Sequence, residues 1–242
     1  LVPTASVVFL AGERAYKMKR AVRFSYLDYS TLAQRRAFCE AEVRLNRRTA
    51  PDLYDGVLPV TREAGGRLAL DGTGEPVEWL VVMRRFDQDG LFDRLATGGR
   101  LTEEHMAQAA DRVATFHMEA EVHRAATDSV PLRQIIDENA AELEAGAGDV
   151  FSPEDLADLE ADSVGRAEAL GPLLKRRRQG GFIRHCHGDL HLRNLVLHRG
   201  VPVLFDCIEF SAAFAVIDVF YDLAFLLMDL LHRGLDAHAN RT

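Results

Sequence analysis

The chain has 242 residues, of which 48% are apolar and 27% are charged, and its formal net charge is -8 at pH 7. This length can bury a sizeable core, and the acidic balance argues against a nucleic-acid-binding protein, because phosphate backbones are bound by basic surfaces. The three cysteines are widely spaced and do not suggest a disulfide framework. No apolar run is long enough to cross a membrane, and residues 1–10 lack the features of a signal peptide. We therefore expect a cytoplasmic protein that binds neither nucleic acid nor a membrane.

The first predicted elements are two strands that carry a pair of lysines. Apolar residues 7–10 and residues 15–22 flank a tight turn, which predicts a hairpin. Because side chains alternate between the faces of a strand, Lys17 and Lys19 point the same way. From the pattern alone, these lysines could simply mark the solvated face of an edge strand.

A helix is predicted next, from Thr31 to about residue 48. Thr31 and Gln34 have the spacing of a capping box, and the helix has to end before Pro51. Glu40 and Glu42 lie within this helix. On a free surface, both would be ordinary solvated acids.

Three more strands are predicted before the chain becomes helical. Residues 57–61 and 67–70 predict a hairpin, and residues 78–84 predict an apolar strand that includes Met83. Residues 87–90 form a polar linker. The strands and the single helix between them make a small β-rich region.

From Leu91 onward, the pattern is mainly helical. Thr102 caps a helix whose apolar residues recur at helical spacing, and His117 near its end is expected to be a hydrogen-bonded core histidine. Residues 131–179 predict charged helices, with breaks near residues 146–148 and at Gly171–Pro172. Nothing in this stretch suggests chemistry.

A polar loop and a predicted hairpin hold most of the reactive groups. Asp189 and Asn194 precede the apolar run 195–197, and a second run, 201–205, ends on Asp206. Pairing of the two runs would place Asn194 beside Asp206, with Asp189 in the loop just before. Two carboxylates and an amide oxygen suit a hard cation such as Mg²⁺, with one carboxylate left over as a base.

The sequence His187-Gly188-Asp189, followed by Asn194 and then by Asp206, resembles the catalytic loop of the aminoglycoside phosphotransferase family. Protein kinases have Arg where Gly188 stands and Phe-Gly after the final Asp, so the small-molecule kinase branch is favoured. The resemblance implies an α+β, two-lobed protein-kinase-like fold. Its small antiparallel sheet lobe would be residues 1–86 and its mainly helical lobe residues 87–242, and relatives would have more chain at both ends.

The resemblance also implies that ATP and Mg²⁺ are the cofactors and that the acceptor is a small molecule with a hydroxyl group. Asp189 would be the catalytic base or the group that orients the acceptor, and Asn194 and Asp206 would hold Mg²⁺. Asp222 would brace the catalytic loop. No glycine-rich phosphate loop is recognised before the lysine strand, and neither the acceptor nor the oligomeric state can be identified.

The nucleotide side of the site would use residues of the β-rich region. Lys17 is the first choice for holding the phosphates, with Lys19 as the alternative, and Glu42 is preferred to Glu40 as the partner of that lysine. Met83 would lie in the hinge that pairs its backbone with adenine, or it would only pack in the core.

Two other functions stay open at this point. His185, His187, Asp189 and His191 could form the metal cluster of a hydrolase, because His-x-His at a strand end is a common beginning of a zinc site. A kinase-like module that binds without catalysing is the second alternative. Magnesium-dependent ATP turnover would separate these functions from a kinase.

Overall fold

The structure is a computed structural model that describes residues 5–24, 26–125, 132–146 and 150–242. The strands are β1 Ser6–Ala11, β2 Arg14–Lys19, β3 Arg23–Phe24, β4 Leu27–Asp28, β5 Tyr54–Arg62, β6 Leu68–Leu70, β7 Glu75–Arg84, β8 Ile183–His185, β9 Leu195–His198, β10 Val201–Leu204 and β11 Val216–Asp218. The helices are α1 Leu32–Asn46, α2 Phe92–Thr97, α3 Glu103–Glu119, α4 Leu132–Gly146, α5 Pro153–Gln179, α6 Ala212–Ala215, α7 Val219–His232 and α8 Asp236–Ala239, and two 3₁₀ turns span Gln88–Gly90 and Leu192–Asn194.

Five strands form one antiparallel sheet in the order β1-β2-β7-β5-β6. Strand β2 lies between the edge strand β1 and β7, and Lys17 is in register with Val81 of β7. The predicted second strand extended to residue 22, whereas β2 ends at Lys19, where the chain leaves the sheet toward the β3–β4 hairpin. The lysines are therefore held on an inner strand of the sheet.

Helix α1 packs across this sheet. Its N-terminus has the predicted capping box, in which Thr31 accepts from the backbone of Gln34 and the Gln34 side chain accepts from the backbone of Thr31. Cys39 and Val43 on α1 join a core cluster with residues of β5 and β7. This packing fixes which side of α1 faces β2.

The second half of the chain has its own core between α3, α7 and the segment around the second 3₁₀ turn. Met106 of α3, Leu226 and Leu230 of α7, and Leu190 and Leu192 are almost fully buried together. Such burial stabilises each large aliphatic side chain by roughly 1.5–3 kcal/mol. The polar loop that follows β8 is thus anchored on apolar residues.

Two short antiparallel strand pairs frame that loop. Strand β9 pairs with β10 as the sequence predicted, with Leu195 opposite Leu204, and β8 pairs with β11. Just beyond the first pairing, Phe205 N–H donates to the carbonyl of Asn194 over 3.0 Å. Asn194 consequently lies next to the end of β10, one residue from Asp206.

The predicted helix break at Gly171–Pro172 is wrong, because α5 continues through Pro172 to Gln179. Proline removes one helical hydrogen bond and crowds the preceding turn. The carbonyl that loses its partner belongs to Glu168, which is exposed, so water can replace the bond. The other predicted break lies partly outside the described residues, and α4 ends at Gly146.

The antiparallel sheet ends at Arg84, and the helical part of the chain begins with α2 at Phe92. The lobe boundary between residues 86 and 87 stays a prediction. Within the part of the chain that the structure describes, no helix has both the length and the apolar character needed to cross a membrane.

Candidate active site

Two lysines on β2 meet one carboxylate on α1. Lys17 Nζ lies 2.9 Å from Glu42 Oε1, and Lys19 Nζ lies 2.6 Å from Glu42 Oε2. Glu42 is fully buried, and the Lys19 side chain is 1% exposed. The other glutamate of the predicted pair, Glu40, points to solvent and pairs with Arg36. Glu42, not Glu40, is therefore the glutamate that contacts the lysines.

Lys17 also reaches the end of the β9–β10 hairpin. Its ammonium lies 2.5 Å from Asp206 Oδ1, so one cation joins the sheet, α1 and the hairpin. Burial disfavours the charged form of Lys17, but the carboxylates of Asp206 and Glu42 outweigh this effect and raise its pKa well above the ordinary value. Burial likewise opposes the charge of Asp206, and Lys17 reverses that effect and lowers the Asp206 pKa. Both groups are ionised at neutral pH.

The backbone at Asp206 is unusual. Its φ is +61°, a left-handed conformation that costs most side chains about 1–2 kcal/mol. The Asp206 N–H donates to the Tyr54 hydroxyl, and the next N–H, of Cys207, donates to Asn46 Oδ1 over 2.9 Å. These two bonds from β5 and α1 hold the strained conformation and aim the Asp206 side chain at Lys17.

The polar loop presents Asp189 beside Asn194. The Asn194 amide nitrogen donates to the Asp189 backbone carbonyl over 2.8 Å and to its Oδ2 over 3.0 Å. His191 Nε2 lies 3.3 Å from the other carboxylate oxygen of Asp189. Burial opposes the charge of Asp189, but the hydrogen bond and charge of His191 lower the Asp189 pKa, and Asp189 raises the pKa of His191 through the same bond. With its side chain 43% exposed, Asp189 is an ionised carboxylate open to solvent.

Asp222 braces the start of this loop, in agreement with the role that the family resemblance implied. Its carboxylate accepts hydrogen bonds from the backbone N–H groups of His187 and Gly188, at 3.2 and 2.8 Å. It also bonds His117 Nε2 at 2.8 Å, which confirms His117 as a hydrogen-bonded core histidine. Gly188 has φ +82°, and an added Cβ there would lie 2.9 Å from the Phe214 carbonyl oxygen, so glycine is required.

A second layer of polar groups, which was not predicted from the sequence, lies behind Lys19. Glu209 Oε1 lies 2.5 Å from Lys19 Nζ and accepts from the Tyr29 hydroxyl over 2.5 Å. Asn46, fully buried at the end of α1, contributes the bond to Cys207. Glu209 lies three residues after Asp206 in the sequence, and no local pattern marks Glu209, Tyr29 or Asn46. The signal that could have found Asn46 is a polar residue on the apolar side of α1.

Met83 packs in the core. Its side chain is 8% exposed, and it lies in register between Ala15 of β2 and Tyr54 of β5. This packing is compatible with both interpretations of Met83, and its place in the hinge stays a prediction. A contact between Met83 and adenine would have to come from its backbone.

The histidine cluster expected for a hydrolase does not form. His187 is fully buried and bonds the Phe205 carbonyl, and His191 pairs with Asp189 instead. His185 lies on β8, where burial and then Arg48 lower its pKa to about 4. Among the described residues, the groups of three or more potential metal ligands do not combine these side chains into one site.

Asn194 and Asp206 are the residues that could hold Mg²⁺. The Asn194 nitrogen is engaged with Asp189, so its carbonyl oxygen is the atom available as a ligand. The Asp206 carboxylate is 41% exposed, and the bond from Phe205 to Asn194 keeps the two residues close. A partly exposed carboxylate beside a buried amide oxygen fits the preference of Mg²⁺ for oxygen ligands, and the exposed side leaves room for retained waters.

Comparison with known proteins identifies the family of this chain. Residues 32–242 match the model of the phosphotransferase enzyme family. Uncharacterized proteins from two strains of Mycobacterium tuberculosis and from Mycobacterium bovis are each 32% identical over 232 residues, which is 95% of this chain and 45% of each relative. The chain thus spans less than half the length of the curated relatives it matches. Because the family match covers most of the chain, the chain belongs to the phosphotransferase enzyme family, with its protein-kinase-like fold.

Proposed function

We propose that this phosphotransferase moves the γ-phosphate of ATP to a hydroxyl group of a small molecule. The observation that carries this proposal is the meeting of Lys17 with both Glu42 and Asp206. A lysine held by a helix glutamate is the arrangement with which kinases position the nucleotide phosphates. In this chain, Lys17 also contacts Asp206, so phosphates bound by Lys17 would lie close to the hairpin that follows the loop carrying Asp189.

Lys17 is proposed to bind the phosphates once its ammonium exchanges Asp206 for phosphate oxygens. Glu42 would keep the lysine side chain in place during that exchange, because it bonds Lys17 through an oxygen that Lys19 does not use. Mg²⁺, when held by Asn194 and Asp206, would neutralise negative charge on the phosphates. Lys19 is buried behind this layer, and we assign it to positioning Glu42.

Asp189 is proposed to orient the acceptor hydroxyl and to take its proton. The pKa of Asp189 is lowered, so the carboxylate is a weak base but a well-defined hydrogen-bond acceptor. Phosphoryl transfer has a loose transition state with little covalent chemistry for the protein to perform, so orientation matters more than basicity. Asn194 fixes the carboxylate through Oδ2, and the hydroxyl would approach it from the exposed side.

The acceptor is proposed to be a hydroxylated small molecule, and we propose neither a nucleic-acid partner nor a membrane partner. The net charge of -8 is compatible with a cationic acceptor. The three cysteines are free and buried, in agreement with a proposed cytoplasmic location.

The proposal is tested by measuring ADP release with Mg²⁺ across a panel of hydroxylated metabolites, amino alcohols and aminoglycosides. Asp189→Asn should abolish acceptor-dependent turnover while leaving nucleotide affinity, measured by calorimetry, close to that of the parent. Asp162→Asn on the exposed face of α5 is the matched control, because it makes the same change far from the site and should alter neither quantity.

The outcomes separate the three functional classes. Turnover that survives Asp189→Asn would contradict the assignment of the base. Nucleotide binding without turnover on any acceptor would favour a binding module, and turnover of a substrate without ATP would favour a hydrolase.

A further inference from the structure

A second cluster of ligand-type side chains lies beside the entry to the catalytic loop. Residues 121–123, after the end of α3, pair with β8 through a bridge between Val122 and Arg184. Backbone bonds of 2.9 Å run from His185 N to the Glu121 carbonyl and from His123 N to the Ile183 carbonyl. The pairing is therefore antiparallel, with a backbone hydrogen bond on each side of the bridge.

This pairing places three potential ligands on one face. Side chains alternate along each strand, so residues on either side of the Val122–Arg184 bridge point away from the bridge side chains and toward the same face. Glu121 and His185 lie opposite each other there, and His123 is two residues from Glu121. Strand β8 is also paired with β11, through His185 opposite Val216, so His185 lies on a strand with a neighbour on both sides.

The ligand atoms of the three side chains are close enough to share an ion. One atom from each lies within 4.8 Å of the others, and His123 Nε2 is 3.8 Å from Glu121 Oε1. Zinc bonds of about 2.0–2.2 Å in tetrahedral geometry place ligand atoms about 3.4 Å apart. Small side-chain rotations close the difference, and the Glu121 side chain, 74% exposed, is free to make them.

The donor set selects the kind of cation. Two imidazoles and one carboxylate are one of the ligand sets found in three-residue zinc sites, which leave a fourth position for water or another ligand. Mg²⁺ and Ca²⁺ prefer oxygen ligands and are disfavoured here. Arg48 donates to the His185 carbonyl over 2.7 Å and places a positive charge nearby, which the Glu121 carboxylate offsets.

We propose that Glu121, His123 and His185 form a binding site for a divalent transition metal of the zinc class, separate from the nucleotide site. A metal bound there would tie the segment after α3 to β8. His185 is two residues before His187, so the metal would also anchor the beginning of the polar loop that carries Asp189.

The test is zinc binding by the full chain, with any affinity tag removed, measured by equilibrium dialysis and by competition with a chromophoric chelator. We expect one Zn²⁺ per chain. Glu121→Gln and His123→Gln should each weaken binding by roughly 10- to 100-fold or more, the range seen when even supporting residues of metal sites are lost. Glu121 is exposed and His123 is partly exposed, and apo melting temperatures near that of the parent would show that the variants fold.

Two controls make the result specific. His232→Gln removes an exposed histidine at the end of α7 and should leave zinc binding unchanged. Asp206→Asn should also leave it unchanged, so the outcome does not depend on the proposed kinase function. No zinc binding by the parent, or equal binding by the Glu121 and His123 variants, would overturn the proposal.

Cobalt substitution gives a second readout. Co²⁺ held by two imidazoles and a carboxylate should show visible d–d bands without a thiolate charge-transfer band. A thiolate band would place the metal at Cys186, which lies with His117 and Asp222 in a separate buried group, and would overturn the assignment.

Discussion

Replacing Glu42 with Gln should lower the free energy of unfolding far more than such a small change in side-chain structure suggests. Both carboxylate oxygens of Glu42 bond an ammonium, at 2.9 Å to Lys17 and 2.6 Å to Lys19, and the side chain has no exposed area. Removing one partner of a buried ion pair costs about 3–5 kcal/mol, because a buried charge is left uncompensated. Lys17 keeps Asp206 and Lys19 keeps Glu209, so we expect the lower end of that range, about 3 kcal/mol.

The assay is equilibrium urea unfolding of the parent and the variant, with the slope of each transition compared to confirm the same extent of unfolding. Glu40→Gln is the matched control, since it makes the same change two residues away on α1. Glu40 is about half exposed and pairs with Arg36 one turn earlier, so its loss should cost about 0.3–0.5 kcal/mol. Similar destabilisation by the two variants would refute the view that Glu42 compensates two buried lysines.

Two further predictions concern the polar loop that carries Asp189. Gly188→Ala should lower the melting temperature more than Gly12→Ala. Both positions have positive φ, but only at Gly188 would the new Cβ contact a backbone oxygen, that of Phe214. Equal shifts in melting temperature would argue against this close approach. NMR titration should find the pKa of His191 above its ordinary value in the parent and lower in Asp189→Asn. The stabilisation from this pair is fully present below about pH 6.5 and is lost as the pH rises through the raised pKa of His191. The difference in free energy of unfolding between the parent and His191→Gln should therefore become smaller toward alkaline pH. A difference that stays constant with pH would contradict the pairing.

The local features of the site followed from sequence because they depend on short spacings. The capping box at Thr31, the β9–β10 hairpin and the shared face of Lys17 and Lys19 each need only a few consecutive residues. The resemblance of the loop around Asp189 to a known family supplied the fold. It made Lys17 the first choice but left Lys19 open as the alternative, because alternation places both lysines on one face, and in the structure Glu42 bonds both.

The groups that hold the site in place were not predictable, since they act across long separations. Asn46 bonds Cys207 across 161 positions, and Tyr29 bonds Glu209 across 180, and neither leaves a periodic pattern. Met83 could not be assigned either, because a buried strand residue and a hinge residue look alike in an apolar run. Pro172 misled the prediction, since its cost depends on solvent exposure that a sequence does not state.

Two carboxylates of α7 couple the unfolding of the polar loop to the unfolding of that helix. Asp222 accepts from the N–H groups of His187 and Gly188, and Asp229, two turns later, accepts from the N–H of Leu192 over 3.0 Å. Opening the loop therefore means breaking bonds to a buried face of α7, whose Leu226 lies in the core. Amide hydrogen exchange at these loop positions should follow the slow exchange of α7 rather than that of surface turns. The polar loop and α7 would then unfold as one cooperative unit, and nucleotide binding at the proposed site would protect the amides of both from exchange.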